Sequence, residues 1–155
     1  MKHRVVLSTL LIAGLGVSGI AWAGGLEMQK KNQAYLEAAA KEEGAVKTSS
    51  GLVFKSLSPG TGESPKLTDT VKVHYKGTFI DGTEFDSSYK RGEPTEFPVN
   101  KVIKCWTEGL QRMKVGEKAQ LVCPPGIAYG ERGMGGVVPP NAVLVFQIEL
   151  LEIVK

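Results

Sequence analysis

Residues 71–76 read Val-Lys-Val-His-Tyr-Lys, with Val71, Val73 and Tyr75 alternating against Lys72, His74 and Lys76. A period of two sends one set into a core and the other into water, so this segment is a strand with a single buried face. Tyr75 then points inward and His74 outward, which makes His74 a surface or packing residue rather than a proton carrier. The same parity recurs in Ala119, Leu121 and Cys123, and again in Leu144, Phe146, Ile148 and Leu150. Half-buried strands need a cover for their shared apolar face. Trp106, Leu110 and Met113, at i, i+4 and i+7, supply it as a short helix that Gly116 helps to end. Several strands, one such helix and no strand-helix-strand alternation predict the α+β class, an antiparallel sheet wrapped around one short helix.

Around these elements, Leu52–Leu57 reads as a first strand preceded by a polar connector, Val46–Gly51. Ser58–Thr68, with Pro59, Gly60, Gly62 and Pro65, reads as a loop. Asp81-Gly82 is a turn dipeptide before a short strand at Glu84–Ser87, and Tyr89–Pro94 is a polar connection. Ahead of the sheet, Leu26–Glu43 holds good helix formers and a Glu37/Lys41 pair and stops at Gly44, which predicts one N-terminal helix. Its apolar stripe, Met28, Tyr35 and Ala39 with Leu36 and Ala40 beside it, is thin, so the helix needs a docking surface.

Lys2 and Arg4 precede an apolar run from Val5 to Ile20 and a small-x-small Ala21-Trp22-Ala23, the pattern of a secretory leader cleaved after Ala23; an uncleaved anchor is the alternative. The expected organisation is a leader at 1–23, a helix at 24–44 and the main domain at 45–155. With Lys2 and Arg4 gone, the 19 basic residues fall by two against 16 acidic ones. So balanced a chain offers no electrostatic footprint for nucleic acid. No metal or cofactor spacing occurs, and the glycine-rich Gly130–Gly136 lacks the lysine and hydroxyl of a phosphate loop. It reads instead as a flap. In an oxidising compartment the only two cysteines, Cys105 and Cys123, would be expected to pair; buried free thiols are the alternative.

The segments VKVHYKGTFIDGTEFDSS (71–88), VIKCW (102–106), IAYGERG (127–133) and VLVFQIELLEI (143–153) together resemble the FKBP-type peptidyl-prolyl isomerases. The resemblance implies an aromatic pocket without nucleophile or metal. It matches Tyr75, Phe85, Asp86, Phe97, Trp106, Tyr129 and Phe146 to the catalytic set, with Trp106 as the floor beneath the proline ring and Arg91 as the basic partner of Asp86. It further matches Val102 and Ile103 to a backbone contact with the ligand carbonyl, and Val138 to an apolar wall. Cys105 stands where cytosolic members usually carry glycine, and Thr95 where some carry an aromatic.

The implied activity is cis/trans isomerisation of X-Pro bonds in unfolded or partly folded exported polypeptides, in the periplasm, by a monomer that needs no cofactor. The resemblance also implies macrolides as inhibitors, and cleavage of the leader would leave no stable membrane span. A different class of function, a holdase chaperone of the same fold, would use apolar surface on the flap and the N-terminal helix and would gain nothing from an intact aromatic pocket.

Overall fold

The computed structural model describes residues 26–155. The leader at 1–23, its cleavage after Ala23 and the start of the following segment lie outside the described residues. A boundary between Ala34 and Tyr35 divides the chain into two units, and it falls inside the first helix, α1, which spans 26–40. Of the first unit, residues 26–34 are the opening turns of that helix. Among the described residues, no helix is long and apolar enough to cross a membrane.

The second unit is an antiparallel sheet of seven strands. They are β1 (Ala45–Lys47), β2 (Val53–Ser58), β3 (Thr70–Phe79), β4 (Glu84–Ser87), β5 (Thr95–Pro98), β6 (Lys118–Cys123) and β7 (Leu144–Val154). The order is β1-β2-β6-β7-β3-β4, with β5 also paired to β3. The main helix, α3 (Lys104–Arg112), follows a 3-10 turn at Val99–Lys101 and buries Cys105, Trp106, Gly109 and Leu110. Fold class and strand parity are as the alternation requires: Tyr75 opposes Ile148 and Leu121 opposes Phe146, all on the inner face.

The opposite parity carries a second, smaller core. Val53 pairs with Val122, and Val122 with Val145. This outer patch packs with Val143 and Ala39 and with the partly buried Tyr35, Leu36, Ala40 and Ile80. The part of the α1 stripe from Tyr35 to Ala40 therefore has its docking surface, one that depends on valines on a face the inward pattern would leave wet, whereas Met28 is exposed.

Three boundaries differ from the sequence reading. α1 ends at residue 40 rather than 43, in a turn where Gly44 takes φ +82°. β1 overlaps the start of the expected connector because Ala45–Lys47 pairs with Val53–Lys55, a strand too short for alternation to register. The expected polar connection after Ser87 begins as a one-turn helix, α2 (Ser88–Arg91), capped by the Ser87 hydroxyl and ended by Gly92 at φ +79°. Four residues cannot display a helical period.

Two features hold α3 to the sheet. A Cβ at Gly109 would collide with the Leu121 side chain, so glycine lets the helix axis approach β6. One turn earlier, Cys105 is joined to Cys123 on β6, across a Cα–Cα distance of 5.9 Å, with both residues fully buried. The bridge closes a ring across a sequence separation of 18. Replacing both cysteines with alanine should lower the unfolding free energy by about 3 kcal/mol, the loop-closure value for such a ring. Urea denaturation checks this; matching stabilities would show that the bridge adds nothing.

Candidate active site

The site is built from side chains of β3, β4, β5 and β7 set around the first turn of α3. Trp106 lies at its centre and meets three rings edge-on: Tyr75 of β3 at 5.1 Å, Phe97 of β5 at 5.3 Å and Phe146 of β7 at 5.3 Å between centroids. Phe85 of β4 meets Phe146 at 5.7 Å, again near perpendicular. Edge-to-face pairs place the positive rim of one ring on the negative face of the next, which fixes their angles as well as their distances. Phe85 and Phe146 can approach β3 because position 77 is glycine. A Cβ there would lie 2.6 Å from the Phe85 ring and 3.0 Å from that of Phe146.

These rings wall a cavity of about 450 Å³, which Val102, Ile103 and Tyr129 also line. That size lies within the range of small-ligand sites. All seven residues matched to the catalytic set line it, as do Val102 and Ile103. Val138 does not. It is buried in the main core, and its backbone exchanges two hydrogen bonds of 2.8 Å with Met134, so it shapes the flap while Met134 supplies the lining. Sequence reasoning missed Met134 and Lys101 as lining residues. For Lys101, its place directly ahead of Val102 was the available signal; the glycine-rich flap gave none for Met134.

The polar side of the cavity is a closed three-way network. Tyr75 Oη donates to Asp86 Oδ2 at 2.6 Å, Arg91 Nη1 donates to Asp86 Oδ1 at 2.8 Å, and Arg91 Nη2 donates to Tyr75 Oη at 2.8 Å. The guanidinium also lies over the Tyr75 ring, 5.6 Å from its centroid, and reaches Thr95 Oγ1 at 3.3 Å. The one turn of α2 brings Arg91 back over Asp86. Burial raises the Tyr75 phenol, and its hydrogen bond to Asp86 raises it further. Burial also pushes the Asp86 carboxyl up, but the bonds from Tyr75 and Arg91 outweigh this and hold it below the ordinary carboxylate range. Tyr129 is raised by burial and then by the charge of Asp86, so its hydroxyl stays a donor at neutral pH.

His74 faces away from the cavity. Its ring stacks on Tyr89 at 4.5 Å, and its Nδ1 lies 2.8 Å from Ser88 Oγ, which accepts the Tyr75 backbone N–H at 2.7 Å. The buried Trp106 indole N–H has no partner among the described residues, and no group of three or more potential metal ligands occurs among them. Chemically, the arrangement could hold an apolar ring and donate hydrogen bonds beside it.

A carboxyl whose folded-state pKa lies below its unfolded value of about 3.9 stabilises the fold at neutral pH and loses that contribution as pH falls through the folded pKa. Carboxyl NMR should therefore show Asp86 titrating below the ordinary value, and Arg91→Met should move it upward. An unmoved titration would mean that Arg91 does not control the carboxylate.

Comparison with known proteins gives the family. The FKBP-type peptidyl-prolyl cis-trans isomerase family matches residues 61–151. The FKBP-type peptidyl-prolyl cis-trans isomerase FkpA of Aeromonas hydrophila is 56% identical over 130 residues, covering 84% of this chain and 48% of the relative. The FKBP-type 22 kDa isomerase of Escherichia coli K12 is 56% identical over 119 residues, covering 77% of this chain and 58% of the relative. The chain thus spans about half the length of these relatives. The crystal structure of FkpA from Escherichia coli superposes with a TM-score of 0.80 at 46% identity, covering 96% of this chain and 71% of that one. A peptidyl-prolyl cis-trans isomerase structure from Pseudomonas syringae pv. tomato gives 0.76 at 35% identity, covering 81% and 92%. On its sequence match and on its fold, this chain belongs to the FKBP-type peptidyl-prolyl cis-trans isomerase family.

Proposed function

We propose that this chain is a peptidyl-prolyl cis-trans isomerase acting on exported, incompletely folded polypeptides, and that the aromatic cavity over Trp106 is its active site. The observation that carries the reading is that cavity, an apolar space with edge-on walls and its only carboxylate already neutralised. Rotation about an X-Pro bond meets a barrier of about 18–20 kcal/mol because the planar amide must give up its resonance. The twisted amide is less polar than either planar form. Moving the bond from water into the aromatic walls of Tyr75, Phe85, Phe97 and Phe146 therefore favours the twisted form over the planar ones.

In this mechanism Trp106 is the floor under the pyrrolidine ring. The Tyr129 hydroxyl and the backbone N–H at Ile103 hold the substrate's carbonyl groups. No side chain caps α3 at Ile103, and the first N–H groups of a helix have no partner within it. Asp86, tied to Tyr75 and Arg91, orients the Tyr75 ring and gives the rim its polarity; no proton is transferred. Val138 acts indirectly, by shaping the flap that presents Met134.

The leader pattern of residues 1–23 and the pairing of the cysteines support a periplasmic location. The acting species is a monomer, and macrolides that mimic a twisted prolyl amide inhibit it.

Relaxation of a Leu-Pro peptide from cis to trans, followed by NMR without a coupled protease, tests the reading. The protein should accelerate it, and a macrolide should abolish the acceleration. Phe97→Ala should lower kcat/KM roughly fivefold, because an aromatic contact worth about 1 kcal/mol is lost at the bond that turns. Its far-ultraviolet circular dichroism should stay unchanged. A folded Phe97→Ala protein with undiminished turnover would place the chemistry elsewhere.

A further inference from the structure

Only two of the residues lining the cavity carry charge, Asp86 and Lys101. Asp86 is engaged by Tyr75 and Arg91, at 2.6 and 2.8 Å. Lys101 is exposed, and it takes part in no ion pair among the described residues.

The backbone that carries Lys101 is nonetheless firmly set. Val99, two residues earlier, is fully buried. Its N–H donates to the Asp69 carbonyl at 2.9 Å, and its own carbonyl accepts from the Thr107 hydroxyl of α3 at 2.7 Å. The 3-10 turn is thus pinned to β3's approach on one side and to α3 on the other. Lys101 is its last residue, directly before Val102 and Ile103 in the cavity wall.

The Trp106 indole N–H has no partner among the described residues either, but its nitrogen is fully buried and offers nothing at the surface of the lining. The Tyr129 hydroxyl, in the lining, stays protonated at neutral pH and can donate. An incoming chain therefore meets this donor and one unpaired cation, while the sole carboxylate of the lining is already satisfied. An acidic side chain beside the proline finds a counter-ion there; a basic one meets like charge.

We infer that this domain favours X-Pro bonds in which the residue immediately before or immediately after the proline is aspartate or glutamate, with Lys101 as the counter-ion. The inference rests on the isomerase reading and names the substrate class of that site. Lys101 is a specificity-determining residue that acts through charge at the rim.

The test compares four peptides with uncharged caps, carrying glutamate or glutamine immediately before or immediately after proline. Their kcat/KM is measured at low and high salt with the full chain, Lys101→Gln and Lys101→Glu. One glutamate peptide should exceed its glutamine twin about threefold at low salt, the size expected of one exposed ion pair. The excess should shrink at high salt, as screening requires. It should vanish in Lys101→Gln and reverse in Lys101→Glu. Equal turnover of glutamate and glutamine peptides by the unaltered chain, or an excess that survives in Lys101→Gln, overturns the inference and leaves the isomerase reading standing. No turnover of any of the four peptides overturns both.

Discussion

A sheet of seven strands has its inner face closed by a helix of nine residues, and everything else in the molecule depends on that contact. So short a helix can seal the sheet only by lying very close to it. Gly109 permits this by carrying no side chain where Leu121 packs, and the Cys105–Cys123 bridge holds the preceding turn to the same strand. Leu110 and Met113 fill the space below. At the other end the helix runs out, and its first turn presents Trp106 to rings rather than to aliphatic side chains. The cavity is the place where the core stops being filled.

That position explains how a largely apolar site can have a fixed shape. Leu and Val can repack into a void, whereas three rings meeting one indole edge-on, with a fourth edge-on to one of them, have little freedom to collapse. The polar network serves the same end. Asp86 alone at the rim would be a charge able to draw water into the cavity. Bonded to Tyr75 and Arg91, it becomes a brace that locks one wall and leaves the interior to the substrate. His74 and Ser88 brace the same strand from behind, through the backbone of Tyr75.

Much of this could be read from the residues, for identifiable reasons. Alternation over Val71–Lys76 and Leu144–Leu150 is long enough to define buried faces, and the spacing of Trp106, Leu110 and Met113 defines the helix that covers them. The site residues could not have been separated from ordinary core by periodicity, since Tyr75, Trp106 and Phe146 are also buried in the core. The family resemblance of the ordered segments singled them out. Elements of three or four residues, β1 and α2, were invisible because a period needs more residues than they contain. Val53, Val122 and Val145 were legible as strand residues but not as the outer seat of α1, which exists only once three strands stand side by side. Met134 depends on how a flap folds back, and that is a tertiary fact, whereas Lys101 adjoins Val102 in the sequence and could have been found from it.

The most direct test of the central claim, that the bond turns inside the cavity over Trp106, is an NMR titration of the protein with a Leu-Pro peptide. It follows the Trp106 indole N–H together with cis/trans exchange of the peptide. The account predicts that the indole resonance shifts and saturates over the same peptide concentrations at which the exchange rate saturates. Catalysed exchange with an unmoved indole resonance would contradict it, since the bond would then be turning at some other surface of the molecule.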